Sequence, residues 1–280
     1  MTFLIPAQSS LQQCQRLSPL DALETRMLLC HVTGLSRVQL ITHSEDVLTE
    51  EQAATFGALV AARQAGQPIA YLLGEREFFG LTFKVSPDVL IPRPDTELLV
   101  ELALQLSPRP ARILDLGTGS GAIAVSLAHQ EAQFKVTAAD ISPAALEIAH
   151  HNALQLSPNN PVRFFESDWF QQLPPEQFDV IVSNPPYIVK DDEHLTQGDL
   201  RFEPINALTD HADGLSAYRQ LIAGAQSYLV DGGRILMEHG YDQAEKVQDL
   251  LKQAGFVDVQ SWQDLAGIWR VTGGVWTGHQ

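Results

Sequence analysis

From Ala111 onward the chain alternates short apolar, β-branched runs with stretches of helical periodicity, and no other feature constrains the fold so tightly. Arg112–Leu116, Lys135–Ala139, Pro161–Phe165, Phe178–Ser183 and Gly233–Glu238 read as strands. Ala122–Ala128 begins a helix, Ser142-Pro143 opens another that runs to about Leu156, and Asp213–Leu229 reads as a third. Ala244, Val247, Leu250 and Leu251 line one face of a fourth, ended by Gly255. A parallel neighbour needs a long crossover connection, so this repetition predicts a parallel sheet with helices on both faces. Phe256–Trp262 and Trp269–Val275 follow one another with no helix between, so one of them must run antiparallel. The expectation is an α/β fold with a seven-stranded mixed sheet.

The residues before this block read as helical. Leu20, Leu23, Met27 and Cys30 recur at helical spacing, with Asp21 and Glu24 in the first turn and Gly34 beyond the end. Phe56, Leu59 and Val60 mark a helix opened by Thr49 and Glu50-Glu51 and stopped by Pro68. This gives a small helical domain over 1–73, without a catalytic constellation. Phe78, Phe79, Phe83 and Val85, broken by Gly80, predict a β-hairpin within a linker at 74–90. The main domain then spans 91–280. It starts with Ile91-Pro92-Arg93-Pro94-Asp95-Thr96-Glu97, where Pro94 and the acidic residues suit a helix start. A helix start does not account for Arg93 between two prolines.

Two stretches carry chemistry. Gly117-Thr118-Gly119-Ser120-Gly121 is a tight turn between a strand and a helix, where glycines let a ligand approach the backbone. It has neither the G-x-G-x-x-G spacing of a dinucleotide site nor the Lys and Ser/Thr of a phosphate loop. Asp115, just before it, would repel a phosphate but can pair with an ammonium. Asp140, ending the second strand, can accept from both ribose hydroxyls, or it can act as a helix-cap carboxylate. An ammonium, a ribose and no phosphate describe S-adenosylmethionine. The second stretch is Asn184-Pro185-Pro186-Tyr187, directly after a buried strand. Its prolines stiffen the chain and remove two donors, leaving carbonyls, one side-chain amide and one aromatic ring. Such a loop suits a planar NH₂ group, with two acceptors for its hydrogens and a ring against its face.

Asp115-Leu-Gly-Thr-Gly-Ser-Gly121, Ala139-Asp140-Ile-Ser142 and Asn184-Pro-Pro-Tyr187 resemble the motifs of class I methyltransferases that act on planar NH₂ nitrogens. Ile91–Glu97, Ser167-Asp-Trp-Phe170, Phe202-Glu203-Pro204 and Glu238-His239-Gly240 narrow the resemblance to the HemK-type peptide chain release factor N(5)-glutamine methyltransferases, over roughly residues 70 to 275. One departure is Ile268-Trp269 before Arg270, where the family usually has a polar residue or proline. The resemblance implies a Rossmann-like fold. It also implies that Asp115 and Gly117, Thr118, Gly119, Ser120 and Gly121 hold the methionine part of S-adenosylmethionine, Asp140 the ribose, and Trp169 the adenine side, with Trp169 as plain core the alternative. Asn184, Pro185, Pro186 and Tyr187 would grip the substrate glutamine, with Asn184, Pro185 and Tyr187 catalytic and Asn184 also beside the cofactor. That glutamine is the one in the Gly-Gly-Gln motif of release factors, the implied protein partner. Phe202-Glu203-Pro204 would shape the cleft, or be a solvated turn. The acidic stretch from Ile188 to Leu208 would be a lid or docking rim, or simply solvated.

Charge and composition bear on the competing readings. An adenine-N6 methyltransferase would use the same grip but needs a basic groove. Here 34 acidic residues against 18 basic give a net charge of −16, which opposes nonspecific binding to a phosphate backbone. An inactive cofactor-binding module would not need the complete Asn184–Tyr187 set. No apolar run approaches the ~20 residues of a membrane span, and Met1–Ser10 lacks the basic-then-apolar order of a secretory leader. Cys14 and Cys30 form no framework, and the histidines form no metal set. We therefore expect a cytoplasmic enzyme with reduced thiols, no metal, no membrane partner and no direct nucleic-acid binding.

Overall fold

The computed structural model describes residues 5–6 and 8–278, which divide after Gly74 into two compact units. The first unit contains α1 (Leu11–Leu17), α2 (Ala22–Thr33), α3 (Arg37–Thr42), α4 (Glu50–Gln64) and α5 (Ile69–Leu73). Ser10, Ser36 and Thr49 each cap a helix reciprocally with the glutamine three residues on, satisfying two otherwise open N–H groups per helix. Asp21 does the same work for α2 by accepting from Leu23 and Glu24. Leu11, Leu28, Leu29, Leu40, Phe56 and Val60 form this unit's core. Pro68 does not stop α4, which ends at Gln64; it opens α5, where its fixed φ is compatible with a helix start.

The second unit opens with an antiparallel hairpin, β1 (Glu75–Phe78) and β2 (Leu81–Lys84). Phe78 and Phe83 are buried in the same core as α6 (Glu97–Leu106), so this hairpin is packed into the second unit. The chain continues through β3 (Ala111–Leu116), α7 (Ala122–Gln130), β4 (Phe134–Asp140), α8 (Pro143–Leu156), β5 (Arg163–Glu166) and β6 (Phe178–Ser183). It ends with α9 (Ile205–Leu208), α10 (Ser216–Tyr228), β7 (Leu229–Glu238), α11 (Ala244–Gln253), β8 (Val257–Gln263) and β9 (Trp269–Val275). The sheet order is β5-β4-β3-β6-β7-β9-β8, and β9 runs antiparallel to both its neighbours. This is the seven-stranded mixed sheet that the alternation predicts. α10 starts later than Asp213 because Asp210 and Asp213 hold the preceding N–H groups in a turn. β7 starts earlier than Gly233 because Leu229 pairs with Phe178 before the register shifts.

Strand residues alternate between two cores. Ile113, Val180 and Val182 face α6 and α7, while Leu114, Ile181 and Met237 face α10 and α11. The functional consequence lies at the carboxyl ends of the central strands. Leu116 is in register with Ala139 on one side and Ser183 on the other, and Ser183 with Met237. Gly117, Asp140, Asn184 and Glu238 therefore leave the sheet side by side. β3 is the point where the strand order reverses, and ligands of open α/β sheets bind in the crevice at such a point.

Candidate active site

The glycine turn is built from the backbone outward. Gly117 and Thr118 donate to the Ala139 carbonyl at 2.9 and 3.0 Å, and Gly121 to the Thr118 carbonyl at 2.8 Å. Gly121 has φ +80°, and a Cβ there would lie 3.1 Å from Ala149 Cβ on α8, so the turn sits closely on that helix. A Cβ at Gly119 would meet nothing within 4 Å, so the turn is open on that side. Asn152 of α8, buried, donates to the Ser120 carbonyl at 2.9 Å and exchanges hydrogen bonds with Lys84 of β2, tying turn, helix and hairpin together.

Asp115 lies beneath this turn, fully buried, and accepts from the Thr118 hydroxyl at 2.6 Å through Oδ2. Its Oδ1 has no partner. Burial pushes its carboxyl up to about 7, opposed by the Thr118 hydrogen bond. An unpaired carboxylate oxygen at this depth suits a neighbouring cation. Asp140 accepts from Gly119 N–H at 2.8 Å and from Ser142 N–H at 2.9 Å, while the Ser142 hydroxyl caps α8. Thus Asp140 fastens the turn to the next strand, and Ser142 does the capping. A carboxylate has about four acceptor sites, so two remain for a ligand. Burial raises the Asp140 carboxyl, and the Ser142 and Gly119 N–H groups act against it. Trp169 is half-buried at φ +50°, with ring atoms 3.5 and 3.8 Å from where a Gly117 Cβ would stand. It packs against the α10–α11 core as well, so one ring serves both as core edge and as a wall beside the turn.

Asn184 follows β6 directly. Its Nδ2 donates to Thr96 Oγ1 at 3.2 Å, which leaves Oδ1 as the acceptor the side chain offers elsewhere. Pro185 is buried. The Tyr187 carbonyl accepts from Gln243 Nε2 at 3.1 Å, and its ring lies near Gly240, 3.6 Å from where a Cβ there would stand. Burial, helped by the nearby Glu238 charge, raises the Tyr187 hydroxyl far above its ordinary value, so it stays neutral. The sequence residues expected to hold ribose, methionine and amide thus come together at one strand-end crevice. Among the described residues no cluster of three or more His, Cys, Asp or Glu could hold a metal ion, and no helix is long and apolar enough to cross a membrane.

Comparison with known proteins decides the family. A family model described as Methyltransferase small domain matches residues 94–199, and one described as PrmC N-terminal domain matches residues 4–74. A release factor glutamine methyltransferase of Burkholderia pseudomallei is 52% identical over 276 residues, covering 96% of this chain and 97% of its own. The chain belongs to the release factor glutamine methyltransferase family. Another release factor glutamine methyltransferase, from Escherichia coli, is 46% identical over 250 residues, covering 89% of this chain and 90% of its own. The crystal structure of a methyltransferase from Pyrococcus furiosus shares the fold, with a TM-score of 0.55 at 20% identity over 79% of this chain and 98% of that one.

In this family member the stretch Ile91–Glu97 turns out to be a brace. Ile91 N–H donates to Glu203 at 3.0 Å, Arg93 forms an ion pair with Glu203, and Asp95 pairs with Arg270 at 3.1 Å. Thr96 receives Asn184, and Glu97 accepts from Phe79 N–H at 2.8 Å. This explains Arg93 between two prolines, and it overturns the solvated alternative for Glu203, whose side chain is fully buried. The Ile188–Leu208 stretch is partly folded, with turns at Glu193–Thr196 and Leu200–Phe202, α9, and a bridge from Ile188 to Thr209. Asp191 and Glu193 are solvated. The unusual Ile268-Trp269 pair is exposed beside Arg270, which Asp264 and Asp95 hold from two sides. His239 is buried, donates through Nδ1 to the Gly240 carbonyl and pairs at Nε2 with the Thr272 hydroxyl, and burial lowers its pKa against the Gly240 bond, which favours the neutral form. Sequence reasoning missed Thr96, Asn152, Gln243 and the depth of Glu238. The one signal for Asn152 was an amide on the apolar face of α8.

Proposed function

We propose that this enzyme methylates the side-chain amide nitrogen of the glutamine in the Gly-Gly-Gln motif of peptide chain release factors, using S-adenosylmethionine. The observation that carries the site assignment is the adjacency of Asn184, with its amide NH₂ engaged by Thr96, to the open glycine turn. The unpaired Asp115 Oδ1, the two remaining acceptor sites of Asp140, and the Trp169 ring beside Gly117 fit the cofactor's ammonium, ribose and adenine. When bound, S-adenosylmethionine supplies an electrophilic methyl group on a sulfonium.

The protein's own contribution is alignment and charge placement. An amide nitrogen is a poor nucleophile, because its lone pair is delocalised into the carbonyl, so holding it at the reacting carbon is the main requirement. As the nitrogen is alkylated it gains positive charge and its N–H groups become stronger donors. Acceptors at Asn184 Oδ1 and the Pro185 carbonyl then bind the transition state more tightly than the ground state. Tyr187 stays neutral and offers its ring to the amide plane. No residue needs to remove a proton before transfer.

The first unit serves substrate docking in this reading. Among its described residues there is no catalytic cluster, yet Val38 and Ile41 on α3 are 70% and 74% exposed. A release-factor substrate places the enzyme in the cytoplasm. The test is transfer of labelled methyl to a release factor or to DNA by wild type and Asn184→Ala. The expected result is transfer to the release factor, lowered on the order of 10²–10³-fold in the variant, with none to DNA. Transfer to DNA, or a wild-type rate for the variant, overturns the reading.

A further inference from the structure

The carboxyl edge of the sheet carries a second concave feature beside the amide grip. A cleft of about 370 Å³ is lined by Tyr241, Asp242, Glu245, Gln248, Ser261 and Trp269. β9 runs antiparallel to β7, so Trp269 begins β9 at the edge where Glu238 ends β7. Tyr241 follows Gly240 at that same edge. Tyr241 and Trp269 are 74% and 43% exposed. Two solvent-facing rings on the rim of a cleft are the kind of surface that recognition uses.

The cleft is built onto the active site. From its floor, Gln248 Nε2 donates to Ser261 Oγ at 2.8 Å, and the Ser261 and Thr272 hydroxyls meet at 2.6 Å. The Thr272 hydroxyl pairs with His239 Nε2 at 2.8 Å, and His239 Nδ1 donates to the Gly240 carbonyl at 2.9 Å. Gly240 N–H donates to Gln243 Oε1 at 2.9 Å, and Gln243 Nε2 holds the Tyr187 carbonyl. One network thus orders both the floor of the cleft and the residue whose ring faces the substrate amide, so little remains to be ordered when a ligand binds.

The walls select the ligand. Two aromatic faces with carboxylates at the rim suit a side chain that is apolar along its stem and cationic at its head. The Arg270 cation beside Trp269 does not oppose it, because Asp95 at 3.1 Å and Asp264 at 3.0 Å already match that charge. Lys246, 3.9 Å from Asp242, and the roughly half-charge at the start of α11 offset only part of Asp242 and Glu245, so the rim stays negative. Position selects the occupant. The substrate glutamine reaches Asn184 at the end of β6, and β7 and β9 lie next in order. Two strand spacings are about 10 Å, or roughly three residues of extended chain.

We propose that this cleft is a specificity subsite for a lysine or arginine side chain of the release factor, presented about 10 Å from the reacting amide. It rests on the reading of the Gly-Gly-Gln glutamine as the substrate. The Ile268-Trp269 departure then has a role, since Trp269 supplies one aromatic face of the subsite.

Kinetics on the full chain test this. Tyr241→Ala, Trp269→Ala and Glu245→Gln should each raise KM for intact release factor about two- to thirtyfold with kcat and cofactor Kd unchanged, because each removes binding shared by ground and transition states. Tm should hold, since all three side chains are exposed. In the factor, each lysine and arginine within about ten residues of the Gly-Gly-Gln is replaced in turn by methionine, closing double-mutant cycles. One such factor should raise KM for the wild type but not further for Trp269→Ala. An unchanged KM in Tyr241→Ala and Trp269→Ala, or additive losses with every substituted factor, overturns the proposal. If the wild type methylates no release factor, the functional reading falls. The calorimetric Kd of the factor then decides the cleft by itself: weaker binding by Trp269→Ala supports it, and an unchanged Kd sinks it.

Discussion

Asp140→Ala separates two roles that the structure gives to one carboxylate. Of about four acceptor sites on its oxygens, Gly119 and Ser142 occupy two, at 2.8 and 2.9 Å. Two are left, matching the two hydroxyls of a ribose. A charge-assisted pair of that kind contributes about 1.5–3 kcal/mol, or roughly ten- to a hundred-and-fifty-fold in Kd. The same substitution leaves the N–H groups of Gly119 and Ser142 without their acceptor, which costs the ligand-free protein about 1–3 kcal/mol for each donor that stays buried. A simple loss of affinity could therefore come from a disordered turn. Calorimetric titration with S-adenosylmethionine and with its 2′-deoxy analogue distinguishes the two. The wild type should prefer the parent cofactor by about tenfold, the effect of one hydrogen bond to a charged group. The variant should bind both weakly and equally, with a lowered Tm reporting the turn separately. If the variant discriminates between them as strongly as the wild type, Asp140 does not hold the ribose and its only role is to fasten Gly119.

Gly121→Ala and Gly119→Ala should differ in what they damage. The first meets Ala149 at 3.1 Å at φ +80° and should destabilise the fold by about 1–3 kcal/mol or more in urea titration, whereas the second meets no atom but sits at φ +54°, so it should cost only the backbone strain of about 1–2 kcal/mol and in addition weaken cofactor binding. Arg93→Ala leaves the buried Glu203 carboxylate without its cation and should cost about 3 kcal/mol, recovered in part when Glu203→Gln is added; an unchanged unfolding midpoint would refute the brace. Val38→Asp with Ile41→Asp should leave Tm and cofactor Kd unchanged. It should lower kcat/KM on intact release factor about tenfold or more, but not on a short Gly-Gly-Gln peptide; equal effects on both substrates would remove the first unit from docking.

The sheet was legible because each central strand is short, apolar and bounded by glycine, proline or a polar cap, so periodicity alone marked it. The strand ends carrying Gly117, Asp140 and Asn184 followed from the same pattern, since parallel order forces them to one edge. The Ile91–Glu97 brace was not legible. Its partners Glu203 and Arg270 lie more than a hundred residues away, and local propensity contains no such information. Glu203 itself reads as a turn carboxylate, and only the folded chain reveals that Ile91 N–H and Arg93 surround it. Asn184 read as a substrate-gripping residue, but its hydrogen bond to Thr96 was invisible. Its replacement by alanine therefore also removes the hydrogen bond to Thr96, and some loss of stability accompanies the loss of rate.

The most direct measurement of the central claim locates the methyl group. A release factor is incubated with the enzyme and labelled S-adenosylmethionine, then digested and mapped by fragmentation mass spectrometry, beside a release factor whose Gly-Gly-Gln glutamine is replaced by glutamate. The account predicts a single added methyl on the amide nitrogen of that glutamine and no label on the substituted factor. Label on any other residue, on the substituted factor, or on nucleic acid in the same reaction would contradict it.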